Sequence, residues 1–259
     1  MTSMDRTDWA EVFTAVFGAP SSAVMARVHA EVLGDEYPAD LDVYSFVTKT
    51  DLGRFTANAQ VSAGDRIADI GCGRGGPGLW VSAQRNVSLI GIDIAETALE
   101  SARRLAETLG RSDRAEFRLG SFAETGLPAT SVNAVMSVDS LLFAPGKAAA
   151  LTELARILVP GGRLVLTTWD FHGQPVNMPP QVPDHRPLLE AAGFDVRAYD
   201  EVESWRERQI RINELMLDAV DALAGESGGD PARIVANLKQ QRGNLDLMTR
   251  RVLIVAERR

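Results

Sequence analysis

The stretch RIADIGCGRGGPGLWVSAQ, residues 66–84, decides the fold. Arg66 to Ile70 is a short apolar run of strand type. Asp69-Ile-Gly71-Cys-Gly73-Arg-Gly75-Gly76 then forms a loop dense in glycine, and GLWVSAQ reads as the helix after it. Glycines at such a turn let the backbone come close to a ligand, and free N–H groups at the helix N-terminus favour anionic or polar atoms. The spacing of Gly71, Gly73 and Gly76 also satisfies GxGxxG, so taken alone the loop fits a dinucleotide fingerprint.

Working outward, the same alternation continues. NVSLIGID (86–93) is the next strand, and Ala98, Ala102, Leu105 and Leu109 stripe a helix closed by Gly110. RAEFRL (114–119), SVNAVMSV (131–138) and GRLVLTTW (162–169) are further strand candidates. Leu151, Leu154, Ala155 and Leu158 stripe the helix before the last of these, with Pro160-Gly161-Gly162 as its turn. Strands alternating with helices of this length imply βαβ units and a parallel sheet covered on both faces. The fold class is therefore α/β, a doubly wound, mostly parallel, seven-stranded sheet.

The flanks differ. Trp9, Val12, Phe13, Val16 and Phe17 make one apolar helix face, with Asp8 and Glu11 spaced as a capping box and Gly18 to Pro20 as a stop. A second helix runs from Ser22 towards Val32 and ends at Gly34. The segment GDEYPADLDVYSFVTKTDL (34–52) carries no strong period. DFHGQPVNMPPQVPDHRP (170–187) is a proline-rich connector, followed by a helix (Pro187 to Ala192) and a strand (Phe194 to Val202). Trp205, Ile212, Met216, Ala219 and Leu223 stripe one long helix broken by GESGGDP (225–231). A polar helix then leads to RRVLIVAER (250–258), a final strand. The expected division is a helical cap at 1–63, a core at 64–202, a helical insertion at 203–248 and the last strand at 249–259.

Composition sets the outer bounds. The chain has 259 residues, with 45% apolar and 24% charged side chains, as a globular protein does. Its 27 basic and 35 acidic residues give a net charge of −8, which argues against nucleic acid as the main partner. The one cysteine, Cys72, allows no internal disulfide and no cysteine-cluster metal site, so no metal is expected. Acids at Asp5, Asp8 and Glu11 and the lack of an early apolar stretch argue against a signal peptide. No apolar run reaches the roughly 18 residues of a membrane span. The expectation is a cytoplasmic protein with no membrane partner.

Asp69 separates the two readings of the glycine loop. A pyrophosphate is a poor neighbour for a carboxylate two residues before the first glycine, whereas a cofactor presenting an α-ammonium group suits it. Asp93, the acid ending the second strand, fits ribose hydroxyls in either case. With these residues in hand, 64–169 resembles a class I S-adenosylmethionine-dependent methyltransferase of the small-molecule type. The motifs that carry the resemblance are GDRIADIGCGRGGPG, LIGIDIAETAL, LPATSVNAVMSVDSLLF and ELARILVPGGRLVLTTW, in the family's order.

The resemblance implies S-adenosylmethionine as cofactor, with S-adenosylhomocysteine as product. It implies that Gly71 and Gly73 line the methionine end, with Cys72 as a small residue of the same loop and Asp69 near the amino group. Asp93 takes the ribose hydroxyls and Ile94 packs on adenine. Many members have an aspartate after the glycine ending strand three; here the sequence is Gly120-Ser121-Phe122, and the Ser121 hydroxyl takes that contact. Ser137, Val138 and Asp139 border the sulfonium and the substrate. By a looser likeness to cyclopropane-forming relatives, Tyr44 and Ser45 touch the methionine carboxylate.

Methyl transfer is an in-line displacement. The protein mainly holds nucleophile and methyl collinear, and a base is needed only where the nucleophile must lose a proton. His172, just past strand five, and Asp139 are the catalytic candidates; His185 reads as a surface residue and His29 as a helix residue. No [DN]PP[YF] string follows strand four, which disfavours methylation of exocyclic amines. The cap and the 203–248 insertion together read as a lid over an apolar or mixed pocket, or as the face of a homodimer. The leading expectation is methyl transfer to O, N or C of a small molecule, such as a specialised metabolite. The alternative is an enzyme of the same fold, such as a cyclase, that binds the cofactor without transferring methyl. An NAD-dependent oxidoreductase and a protein-interaction module rank behind both.

Overall fold

A computed structural model describes residues 8–259; Asp5 lies outside them. Seven strands form one sheet: β1 (Arg66–Ile70), β2 (Ser88–Asp93), β3 (Ala115–Leu119), β4 (Val132–Val138), β5 (Leu158–Phe171), β6 (Phe194–Glu201) and β7 (Met248–Arg258). Their spatial order is β3-β2-β1-β4-β5-β7-β6. The first five are mutually parallel, and β7 runs antiparallel between β5 and β6. The expected doubly wound, mostly parallel sheet is therefore present. The chain leaves β1 towards β2 and β3, then returns to place β4 on the other side of β1. The crevice at the carboxyl ends of β1 and β4 is thus the topological switch point, where open α/β sheets bind ligands.

Helices α4 (Gly76–Arg85) and α5 (Glu96–Thr108) cover one face, and α6 (Lys147–Ile157) and α7 (Arg186–Ala191) the other. The α5 stripe is explicit, since Ala98, Leu99, Ala102 and Ala106 are all buried. The core strands read as continuous apolar runs because both faces are covered.

The cap is built from two distant parts of the sequence. Helices α1 (Trp9–Gly18), α2 (Ala23–Leu33) and α3 (Lys49–Asn58) precede the core. Helices α8 (Trp205–Asp218), α9 (Val220–Ser227) and α10 (Pro231–Leu247) lie between β6 and β7. Val24 and Val28 of α2 pack on Ile212 and Met216 of α8, so the two parts form one layer.

Several elements depart from the sequence reading. The unpatterned segment 34–52 contains two short 3-10 turns, Gly34–Glu36 and Ala39–Leu41, and the start of α3. Thr48 and Asp51 form a reciprocal capping box there, while Leu52 and Phe55 are buried. At α1, by contrast, Asp8 caps the N–H groups of Ala10 and Glu11, with no returning bond from Glu11 recorded. The helix expected from Trp205 to Leu223 breaks at Ala219 into α8 and α9. The Pro160–Gly162 turn is absorbed into β5 as a bulge. Val132 faces Leu158 and Ala134 faces Arg163, so the intervening residues loop out, with Gly161 at φ 76°. Among the described residues no helix is long and apolar enough to cross a membrane.

Candidate active site

The loop after β1 is shaped by contacts that leave no room for a side chain at Gly71, Gly75 or Gly76. Gly71 has φ 72°, and a Cβ there would fall 2.5 Å from Cβ of Ser140. The Ser140 hydroxyl donates to the Gly71 carbonyl (2.9 Å), which stitches the ends of β1 and β4 together at the switch point. The backbone N–H of Gly73 donates to Asp93 Oδ2 (2.8 Å), and that of Ala95 to Asp93 Oδ1 (3.0 Å). Asp93 therefore fixes the loop's position against the end of β2. Each of its oxygens keeps a lone pair beyond these bonds.

Asp69 is the unusual group. It is fully buried, and no side chain donates to either carboxylate oxygen; the backbone N–H of Gly78 in α4 lies against it and favours the charged form without making a well-formed bond. Burial, and next the charge of Asp93, push its pKa up to about 7. Burial also raises Asp93, against the opposing N–H bonds from Gly73 and Ala95. An unpaired buried carboxyl is costly, and a cation placed beside it relieves that cost. Cys72 is buried in the same loop, with its thiol driven well above the usual range by burial, so it stays neutral.

The cap closes over this loop. Phe17 of α1 packs against Ala95 and Ala98, and a Cβ on Gly73 would lie 3.3 Å from its ring. Phe143, which follows β4, packs tilted against Trp9 and edge-on to Phe13. Arg74 bonds the carbonyl of Ala19 (3.0 Å) and Asp42 (3.2 Å), with its guanidinium 5.6 Å from the Phe17 ring centre. Phe17 reads from the sequence as part of the α1 apolar face but not as a neighbour of the glycine loop, and Arg74 does not stand out there, because a helix stripe does not tell which loop it packs on.

The other expected site residues fall as follows. Ile94 is half-buried beside Asp93, and Phe122 approaches to 3.5 Å of where a Gly71 Cβ would stand. The Ser121 hydroxyl accepts from the Glu124 N–H (3.1 Å). Ser137 is buried with its hydroxyl unpartnered, and Val138 is buried at the end of β4. Tyr44 is exposed, with its ring edge-on to Phe17, and the Ser45 hydroxyl accepts from the Val47 N–H (3.3 Å).

The two catalytic candidates stand differently from the sequence reading. Both Asp139 oxygens accept from the buried Arg251 (3.0 and 3.1 Å), and Oδ2 also accepts from the Phe46 N–H (3.0 Å). Arg251 in turn donates to Asp51 of α3 (2.9 Å). A carboxylate holding three donors is a positioning group for the cap, not an open base. The His172 ring is exposed, and its backbone N–H is tied to the Leu247 carbonyl (3.0 Å). His185, read as a surface residue, is fully buried; its Nδ1 lies 3.1 Å from Asp170, which also accepts from Tyr199 (2.6 Å).

A glycine loop at the β1–β4 switch point, an acid ending β2 and this strand order define the Rossmann-like methyltransferase fold. Residues 67–162 match the family of methyltransferase domains. Among curated proteins, 27-O-demethylrifamycin SV methyltransferase of Amycolatopsis mediterranei is 34% identical over 113 residues, 44% of this chain and 42% of that protein. Methyltransferase GfsG of Streptomyces halstedii is 31% identical over 106 residues, 41% and 38% of the two chains. The chain thus covers well under half the length of these relatives. Whole-fold likeness is broader. The [4+2]-cyclase SpnF superposes with a TM-score of 0.72 at 21% identity, over 93% of this chain and 97% of that one. A putative sarcosine dimethylglycine methyltransferase from Galdieria sulphuraria gives 0.70 at 18%, over 90% and 96%.

Proposed function

We propose that the protein binds S-adenosylmethionine at the glycine loop and transfers its methyl group to O, N or C of a small molecule. The observation that carries this reading is the buried Asp69 carboxyl, with no side-chain partner, at the end of β1 beside a loop whose Gly71, Gly75 and Gly76 leave no room for a Cβ. That pairing suits a ligand with an ammonium group on one side and a backbone-hugging chain on the other. The bound cofactor supplies a methyl carbon on a positively charged sulfur.

The chain's own residues do the rest. Asp69 neutralises the ammonium, Asp93 accepts from the ribose hydroxyls with its remaining lone pairs, and Ile94 and Phe122 flank the adenine. Ser137 and Val138 border the reacting centre. The α1 aromatics exclude water and hold the two reactants in line, which is where the rate gain of such a displacement arises. With Asp139 committed to Arg251, no general base is assigned; nucleophiles that react without losing a proton suit this site. The likeness to a methyltransferase named for 27-O-demethylrifamycin SV favours a specialised metabolite as acceptor.

Calorimetric titration with S-adenosylhomocysteine, and with NAD as control, tests the cofactor. Micromolar binding of the first alone is expected, and Asp93→Ala should weaken it by about tenfold or more, since two charge-assisted bonds are lost. Unchanged affinity in that variant would overturn the assignment of the β2 acid. A second reading, a cyclase that keeps the cofactor's methyl, is favoured by the likeness to SpnF over nearly that whole chain. Mass detection of a transferred methyl separates the two.

A further inference from the structure

The net charge of −8 is not spread evenly over the molecule. Residues 8–63 carry eight acids against three bases, and the 203–248 insertion carries eight against six, so the cap holds −7. The sheet and its own helices, with 18 acids against 17 bases, hold −1. Some of the cap's acids are matched inside the protein. Asp51 and Asp42 pair with Arg251 and Arg74, and Glu31 lies 3.9 Å from Arg211. Glu11, Asp35 and Asp40 are exposed and, among the described residues, have no ion-pair partner.

These unmatched acids stand on the elements that cover the glycine loop. Glu11 is on α1, whose Phe17 lies against Gly73. Asp40 is in the second 3-10 turn, which crosses the start of α4 at Gly76, and Asp35 is in the turn before it. Beneath the loop, Asp69 supplies an independent sign that the ligand is cationic, as a buried acid to which no side chain donates.

A field of this kind acts on a ligand's net charge and not on its shape. S-adenosylmethionine carries a sulfonium and an ammonium against one carboxylate, a net charge of +1. Loss of the methyl group leaves S-adenosylhomocysteine neutral overall. Both carry the ammonium that Asp69 meets, so that contact does not tell them apart. The charge of the cap does. Its reach is a Debye length of about 30 Å at 10 mM salt, which spans the cap, and about 8 Å at 150 mM. Seven charges acting through water over such distances favour a monocation by about fivefold at the lower salt.

We propose that the cap is an electrostatic funnel that draws the cationic cofactor to the glycine loop in preference to its neutral product, with Glu11, Asp35 and Asp40 as the residues that set this selectivity. The proposal rests on the reading that the loop holds S-adenosylmethionine, and adds how the methyl-bearing form is chosen over the used one.

The test is calorimetry on the full chain at 10 and 150 mM sodium chloride, with S-adenosylmethionine, S-adenosylhomocysteine and sinefungin. Sinefungin bears an ammonium where the sulfonium stands and has no methyl to transfer, so it serves as a stable monocation. The Kd of both cationic ligands should rise by about threefold or more with salt, and that of S-adenosylhomocysteine by less than about 1.5-fold. The triple variant Glu11→Gln, Asp35→Asn, Asp40→Asn should lose about half or more of this difference. A control triple variant, Glu107→Gln, Asp113→Asn, Glu190→Gln, changes net charge equally through exposed acids at the amino-terminal edge of the sheet and should keep it. Equal salt dependence for all three ligands overturns the proposal. Equal loss in the two triple variants overturns it too, because the effect would then belong to net charge and not to the cap. If none of the ligands binds at either salt, the cofactor reading itself falls, a result distinct from binding that ignores salt.

Discussion

At the scale of single residues, Asp69 links binding to proton uptake. Its folded pKa of about 7 lies above the ordinary 3.8, so the ligand-free native state holds a proton that the unfolded chain releases. The sign follows from linkage: this contribution to stability is complete below about pH 4 and is lost as pH rises through about 7. The ligand-free protein should therefore melt lower at pH 8 than at pH 6, on this group's account. Asp69→Asn should raise Tm at pH 8 by at least about 2 °C, with a smaller gain at pH 5 and none near pH 4. Binding runs the other way, because the ammonium needs the ionised carboxylate. The Kd for S-adenosylhomocysteine should rise by up to about tenfold for each unit below pH 7 in calorimetry, and the Asn variant should lose that dependence. The loop and both its acids were legible from the sequence because Asp69, Gly71 and Asp93 lie within one βαβ unit. The partner that changes the meaning of Asp139 was not, since Arg251 stands 112 positions away. A charged side chain inside the apolar run of β7 was the one available sign.

Among elements, the parallel strands and their helices were legible because burial on both faces writes them as apolar runs and stripes. Helix α3 was missed although Thr48, Asp51, Leu52 and Phe55 carry its cap and its buried face; polar residues between them hide the period. The break at Ala219 has no glycine or proline to announce it, and Ala219 and Leu223 instead join the α2–α8 cluster. Thr48→Ala should cost about 1 kcal/mol in urea unfolding, as loss of an N-cap does. Gly76 sets a harder limit. A Cβ there would lie 2.0 Å from the Leu41 carbonyl, where the backbone of the second 3-10 turn crosses the start of α4. Gly76→Ala should thus lower stability by about 2 kcal/mol or more, read as a shifted urea midpoint. An unshifted midpoint would mean the cap stands further from the loop.

Across the whole molecule, Arg251 ties three distant parts together: β7 that bears it, the end of β4 at Asp139, and α3 at Asp51. Removing it strands two buried carboxylates, so Arg251→Met should cost about 3–5 kcal/mol in urea unfolding. Replacing all three by apolar residues should recover most of that loss, because the desolvation of the charges vanishes with them. A single variant as stable as the parent would show that the two acids pick up protons freely.

The seat of β7 between β5 and β6 bears on the order in which a growing chain can mature. A ribosome releases β6 and the three helices of the insertion before the strand that joins them to the rest. Until β7 emerges, β6 has no neighbour to pair with, and Asp51 and Asp139 wait without their cation. The tie between the end of β4 and α3 is therefore made only once this one strand has emerged, however early the helices around it have formed.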